Sequence, residues 1–201
     1  MRNFLILLIL FAYNNTIAQE VIEMKEVYEE NNLVYKISDD GLFTGIAQVK
    51  RENGHLVYEE EFKNGVILFS YLYFNGKEKR LSTKTIYNPK KPNVLLKEFM
   101  YDLQKEIFEI HTYNEDGIKI LREQFTNGKV YYSCQYLGKK KHGIELGYKD
   151  GGEKMTFRCE YINGKKNGTF DVSILGNKST ITYKDDIEIK QGPIDGSLID
   201  K

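Results

Sequence analysis

Apolar and polar side chains alternate with a period of two along most of this chain. In Lys129–Leu137 the residues Val130, Tyr132, Cys134 and Tyr136 share one face; in Glu153–Ile162 Met155, Phe157, Cys159 and Tyr161 do the same, each 25 residues after its equivalent. A period of two is the signature of a half-buried β-strand, and the common offset puts both strands in the same register. Between them Ile144, Leu146 and Tyr148 alternate on a shorter strand ending at Asp150-Gly-Gly152. Each 25-residue unit therefore reads as a hairpin, with one turn near Asn127-Gly128 or Gly151-Gly152 and the next near Gly138–His142 or Gly164–Asn167.

Weaker copies extend the pattern in both directions. Upstream, Thr44-Gly45 opens a strand, Asn53-Gly54 turns it, Leu56, Tyr58 and Phe62 carry the return, and Lys63-Asn-Gly65 closes the unit. Asn75-Gly76 and Glu115-Asp-Gly117 are further turn signals. Downstream, Phe170, Val172 and Ile174 alternate, and residues 177–201 have lost the glycine spacing, as a terminal cap would. Leu96, Phe99, Met100, Leu103, Ile107 and Ile110 also fall at helical spacings after Pro92-Asn93. A turn at Asp102–Gln104 keeps the hairpin rhythm instead, so 94–110 reads as strand with helix as the alternative. Val66–Phe74 is apolar on both faces, which predicts a strand covered on both sides by a fold of the sheet or by a docked partner.

The expected fold is thus all-β: an elongated, twisted antiparallel meander of stacked β-hairpins over residues 19–201, clearest at 111–176, weaker at 41–76 and atypical at 77–110. Fifteen Tyr and eleven Phe, no Trp and three Pro agree with half-buried pleated surfaces. The first 18 residues fall outside that fold. Arg2, the apolar run Phe4–Ala12 and the small residues of Thr16-Ile-Ala18 have the pattern of a cleaved secretory signal, predicting a periplasmic, envelope-associated or extracellular protein. The run would span about 13 Å as a helix against a ~30 Å hydrocarbon core, so no transmembrane span is expected in the mature chain.

Twenty-nine basic and 29 acidic side chains balance, which gives no net field for nucleic acid. His55, His111 and His142 are not at ligand spacing, and no nucleophile elbow or phosphate-cradling glycine loop is present. Asp39-Asp40-Gly41 and Asn114-Glu-Asp-Gly117 read as turns rather than calcium loops. The expectation is a non-enzymatic protein without metal or cofactor. Cys134 and Cys159, at equivalent positions two strands apart, would lie about 9.6 Å from each other at ~4.8 Å per strand, beyond the roughly 7 Å that a disulfide bridges. They are expected to be free, half-buried packing residues.

Two candidate surfaces follow from the period. Lys139, Lys140 and Lys141 recur as Lys165 and Lys166, predicting a basic edge that would attract anionic lipid or glycan. Tyr132, Tyr136, Tyr148, Phe157 and Tyr161 share one alternation set, predicting an aromatic face that either binds a protein or becomes the core if the sheet curls.

The glycine turns also carry a resemblance. Tyr136-Leu-Gly-Lys-Lys-Lys-His-Gly143 and Tyr161-Ile-Asn-Gly-Lys-Lys-Asn-Gly168, with Phe43-Thr-Gly45 and Phe62-Lys-Asn-Gly65, resemble the MORN-repeat variant of exported bacterial proteins of the YwqK type. The resemblance implies a single-layered sheet of hairpins and no catalytic residues, because that motif consists of turn glycines and packing aromatics. The antitoxin-like description attached to such proteins implies neutralising a toxin. An exported chain is in the wrong compartment for a cytosolic toxin, whereas an immunity role outside the inner membrane is compatible with it.

Overall fold

A computed structural model describes residues 19–149, 151–174 and 177–193, so the signal-like segment 1–18 and the last eight residues lie outside the description. The first strand, β1 (Val21–Glu23), is followed by a 3-10 turn (Met24–Glu26) and a hairpin of β2 (Val27–Glu30) and β3 (Leu33–Lys36). Then come β4 (Gly45–Lys50), β5 (Leu56–Lys63), β6 (Val66–Tyr73), β7 (Leu81–Tyr87), β8 (Leu95–Tyr101), β9 (Ile107–Tyr113) and β10 (Lys119–Thr126). The repeat region holds β11 (Lys129–Leu137), β12 (Lys140–Lys149), β13 (Lys154–Ile162) and β14 (Lys165–Lys166). The chain closes with β15 (Gly168–Ile174), β16 (Asn177–Lys184) and β17 (Ile187–Pro193).

From β4 onward each strand pairs antiparallel with the next, with β14 a short spur on β13, making one open 15-stranded sheet. The all-β meander is therefore present, and 94–110 is strand, β8 and β9 joined by a turn around Asp102. The one departure is β1, which pairs parallel with β4. The chain between them leaves the sheet to build the β2–β3 hairpin, and the returning strand runs in the same direction. Residues 177–193 of the expected terminal cap continue the pairing as β16 and β17. Among the described residues no helix is long and apolar enough to cross a membrane.

The turn chemistry explains the rhythm. Asn64-Gly65, Asn127-Gly128 and Asn163-Gly164 all hold positive φ at both residues (50° and 76°, 51° and 73°, 53° and 90°), the conformation of the tight hairpin turn whose twist matches its strands. Asn31-Asn32 and Asp185-Asp186 turn the same way without glycine. Most ladders also carry one register shift, and such bulges bend the strand and increase its twist.

The apolar core sits at the N-terminal end. Phe43, Ala47, Phe62 and Ile67 are buried together, with Ile22, Met24, Val27, Val34 and Tyr87 packed against them. The hairpin is tied down there by backbone bonds from Val34 N to Gly65 O (2.9 Å) and from Phe43 N to Val34 O (2.9 Å). This corrects the expectation for Val66–Phe74. The hairpin packs against Ile67, and Ser70 and Tyr73 are buried as well, but Leu72 is 43% exposed, so β6 is not covered on both sides along its whole length. Beyond this end the substantial contacts between elements are those of strands neighbouring one another in the sheet.

Candidate functional site

Register decides which side chains meet. Ala47, Glu60, Ser70, Thr85, Glu98, His111, Arg122, Cys134, Glu145 and Cys159 are paired successively from β4 to β13, one row running straight across the sheet. Directly paired residues project from the same face. The adjacent row, Gln48, Glu59, Tyr71, Lys84, Phe99, Ile110, Glu123, Ser133, Leu146 and Arg158, belongs to the other face.

The first face carries buried carboxylates held by tyrosines and cations. Glu145 stands on β12 between Cys134 and Cys159, 6% exposed, and accepts hydrogen bonds from the Tyr132 hydroxyl (2.5 Å) and from Lys141 Nζ. Burial opposes its ionisation, but hydrogen bonds from Lys141, Tyr132 and Tyr161 and the charge of Lys141 hold its carboxyl below the usual range. Burial, followed by the bond to Glu145, pushes the phenols of Tyr132 and Tyr161 up.

Three strands away lies a second cluster. Glu109 on β9 accepts from Arg122 Nη2 (2.8 Å) and Gln124 Nε2 (2.8 Å) and lies 2.6 Å from His111 Nε2. The other ring nitrogen of His111 faces Glu98 (3.4 Å), which also accepts the Tyr113 hydroxyl. Burial works against the Glu109 carboxylate, yet its hydrogen bonds to Arg122, Gln124 and His111 and the charge of Arg122 hold its carboxyl at about 2. A third, simpler pair is Tyr58 donating to Glu60 (2.5 Å).

The predicted aromatic residues gather on this face. Tyr132, Tyr136, Phe157 and Tyr161 all flank the row and are half-buried, and Phe157 packs on Phe170 (6.3 Å between centroids), which meets Tyr183 (6.2 Å). Tyr148 is a correction. Gly147 pairs with both Tyr132 and Phe157, so its neighbour Tyr148 projects from the opposite face. Nor do these aromatics form the core, which lies at the other end. Beneath them Cys134 and Cys159 are free, each 1% exposed rather than half-buried, and burial pushes both thiols up. Both pair with Glu145, so a whole strand separates them, as the 25-residue offset predicted.

The lysine edge is dispersed. The turn is Gly138-Lys139 alone, because β12 already begins at Lys140, and alternation sends Lys141 inward. Its Nζ bonds Glu145 and lies 5.0 Å from the Tyr161 ring centroid. Lys166, the equivalent one repeat later, lies over Phe170 and Tyr183, 4.9 Å from each. Lys119 does the same over Tyr136 (4.5 Å). These lysines cover tyrosines in a repeating cation–π contact. Lys139, Lys140 and Lys165 remain exposed.

Sequence reasoning passed over Glu98, Glu109, Glu145 and Arg122. A signal was present, since Glu145 is bracketed by the apolar alternation of Ile144 and Leu146 in a strand that must lie between the two cysteine-bearing strands. The turn readings at Asp39–Gly41 and Asn114–Gly117 correspond to side-chain-capped turns, with Asp39 Oδ1 accepting from Gly41 N (3.0 Å) and Asn114 Oδ1 from Asp116 N (3.0 Å) and Ile118 N (2.9 Å). No protein-family model matches the chain, and no curated protein matches it.

Proposed function

We propose that this protein is a non-enzymatic interaction module, exported to the bacterial envelope, that recognises a protein partner with the tyrosine-rich face of its sheet. The observation that carries the reading is that Tyr132, Tyr136, Phe157 and Tyr161 form one half-buried patch, held by the buried Glu145 carboxylate, by Lys119 and Lys141 over the rings of Tyr136 and Tyr161, and by Phe170 against Phe157. Large aromatic side chains held in place in the free protein lose little entropy on binding. The carboxylates under the patch are engaged with Lys141, Arg122 and tyrosine hydroxyls, which suits a supporting role better than proton transfer. Export rests on residues 1–18, and the MORN-variant resemblance at the glycine turns agrees with a scaffold of this kind.

The test is a crosslinked pull-down from envelope fractions. The wild-type chain should recover one specific protein that a Tyr136→Ser/Tyr161→Ser variant with an unchanged melting temperature does not. The same protein recovered equally by both chains would refute the assignment to this face.

A further inference from the structure

Two bends at one edge of the sheet gather cations that the fold leaves without acidic partners. The turn between β4 and β5 contributes Arg51, Asn53, Gly54 and His55, and the bend between β6 and β7 contributes Gly76 and Lys77, to a single groove of about 460 Å³. Several cations elsewhere in this charge-balanced chain are paired with acids: Lys36 with Glu20, Lys91 with Asp116, Arg122 with Glu109, Lys141 with Glu145 and Arg158 with Glu160. Arg51 and Lys77 take part in no ion pair, side-chain hydrogen bond or ring contact among the described residues. Glu52 and Glu78 stand beside them in sequence without pairing to them, and Lys79 is taken by Glu59 (3.2 Å). Arg80 adds a further charge: its Nη2 lies 3.4 Å from where a Cβ on Gly76 would stand, and its Nε is buried without a hydrogen-bond partner.

The groove is organised as well as charged. His55 Nε2 is 3.0 Å from Phe74 O, and since a carbonyl only accepts, that nitrogen carries the hydrogen and ties the two bends together. The amide of His55 donates to Asn53 Oδ1 (3.0 Å), Gly54 N to Arg51 O (2.8 Å) and Phe74 N to Arg80 O (2.8 Å). Around the Cβ position of Gly54 there is no atom within 4 Å, so the groove is open on that side.

Like charges held within a Debye length repel one another, so their convergence here is unfavourable until an anion joins them. We propose that the groove lined by Arg51, His55 and Lys77, with Arg80 beside it at Gly76, binds a phosphate group carried by a small ligand or a lipid headgroup. A phosphate group, charged −1 as a diester and near −2 as a monoester and carrying several acceptor oxygens, matches the planar arginine fork and the point charge of lysine, which a single carboxylate matches less well. This site is separate from the tyrosine-rich face.

The experiment titrates the purified protein with inorganic phosphate, following the His55 ring resonances by NMR, and then measures sedimentation with phosphatidylglycerol and phosphatidylcholine vesicles. Phosphate should shift His55 saturably, and the apparent Kd should weaken as salt is raised. Arg51→Gln and Lys77→Gln should each weaken binding at least fivefold with the melting temperature unchanged, whereas a Lys139→Gln/Lys165→Gln control should bind as wild type. Co-sedimentation with phosphatidylglycerol vesicles alone, competed by phosphate and lost in the Arg51 and Lys77 variants, assigns the phosphate to a lipid headgroup. Phosphate binding without vesicle binding assigns it to a soluble ester. Absence of a saturable shift, or binding by the Arg51→Gln/Lys77→Gln double variant within twofold of wild type, overturns the proposal.

Discussion

Replacing Glu109 by Gln removes one buried charge while nearly preserving shape. The residue is 7% exposed and accepts hydrogen bonds from Arg122 and Gln124, both at 2.8 Å, with His111 Nε2 at 2.6 Å. Burial alone would raise its pKa, but these partners win and bring it from the ordinary 4.5 to about 2. At about 1.4 kcal/mol per pKa unit, that difference corresponds to about 3 kcal/mol of stability at pH 7. The folded pKa lies below the unfolded one, so the contribution is complete above pH 4.5 and is lost as the pH falls toward 2. A row of hairpins opens locally rather than all at once, so amide hydrogen exchange is the suitable assay, reading β9 and β10 with β16 as an internal reference. The opening free energy of β9 and β10 should drop by about 3 kcal/mol in the variant at pH 7 and by less than about 1.5 kcal/mol at pH 3, with β16 unaffected. A loss equal at both pH values would show that shape and not charge matters there. No loss at pH 7 would refute the reasoning altogether.

Two further predictions concern the repeat region. Gly147 sits between Tyr132 and Phe157 in register, and a Cβ there would overlap the Phe157 ring, so Gly147→Ala should destabilise by about 1–3 kcal/mol. Thermal melting checks this, and a variant melting as wild type would show that the ring moves aside freely. Cys134 and Cys159 should resist Ellman's reagent in the folded protein and react fully in urea, because burial both shields the thiols and disfavours the thiolate. Fast reaction of either one without denaturant would contradict their placement beneath the tyrosines.

Much of the candidate site was legible because its aromatic half obeys a local rule. Tyr132, Tyr136, Phe157 and Tyr161 alternate within their own strands, so their common face follows from counting by two. The polar half obeys no local rule. Glu145 meets Tyr132, and Glu109 meets Arg122 and Gln124, across strands, and those pairings depend on how each ladder is registered. Tyr148 shows the sensitivity: its strand alternates as clearly as its neighbours, but pairing places Gly147 on the aromatic face and Tyr148 on the other. Lys141 and Lys166 read as turn residues by proximity to glycine, whereas strands begin one or two residues earlier than that count implies and fold these side chains onto the tyrosines.

By itself the sequence determined most of the strands from Gly45 onward, their order and most of their turns. Those features depend on alternation within a segment and on Asn and Gly tolerating positive φ, both of which are properties of neighbouring residues. Tertiary structure alone decided that β1 pairs parallel with β4, that the β2–β3 hairpin creates the apolar core at one end, and that Glu109 meets Arg122 and Gln124. It also brought Arg51 beside Lys77 in one groove. Each of these joins residues distant in the chain through cross-strand register, and a single bulge is enough to change which of them meet.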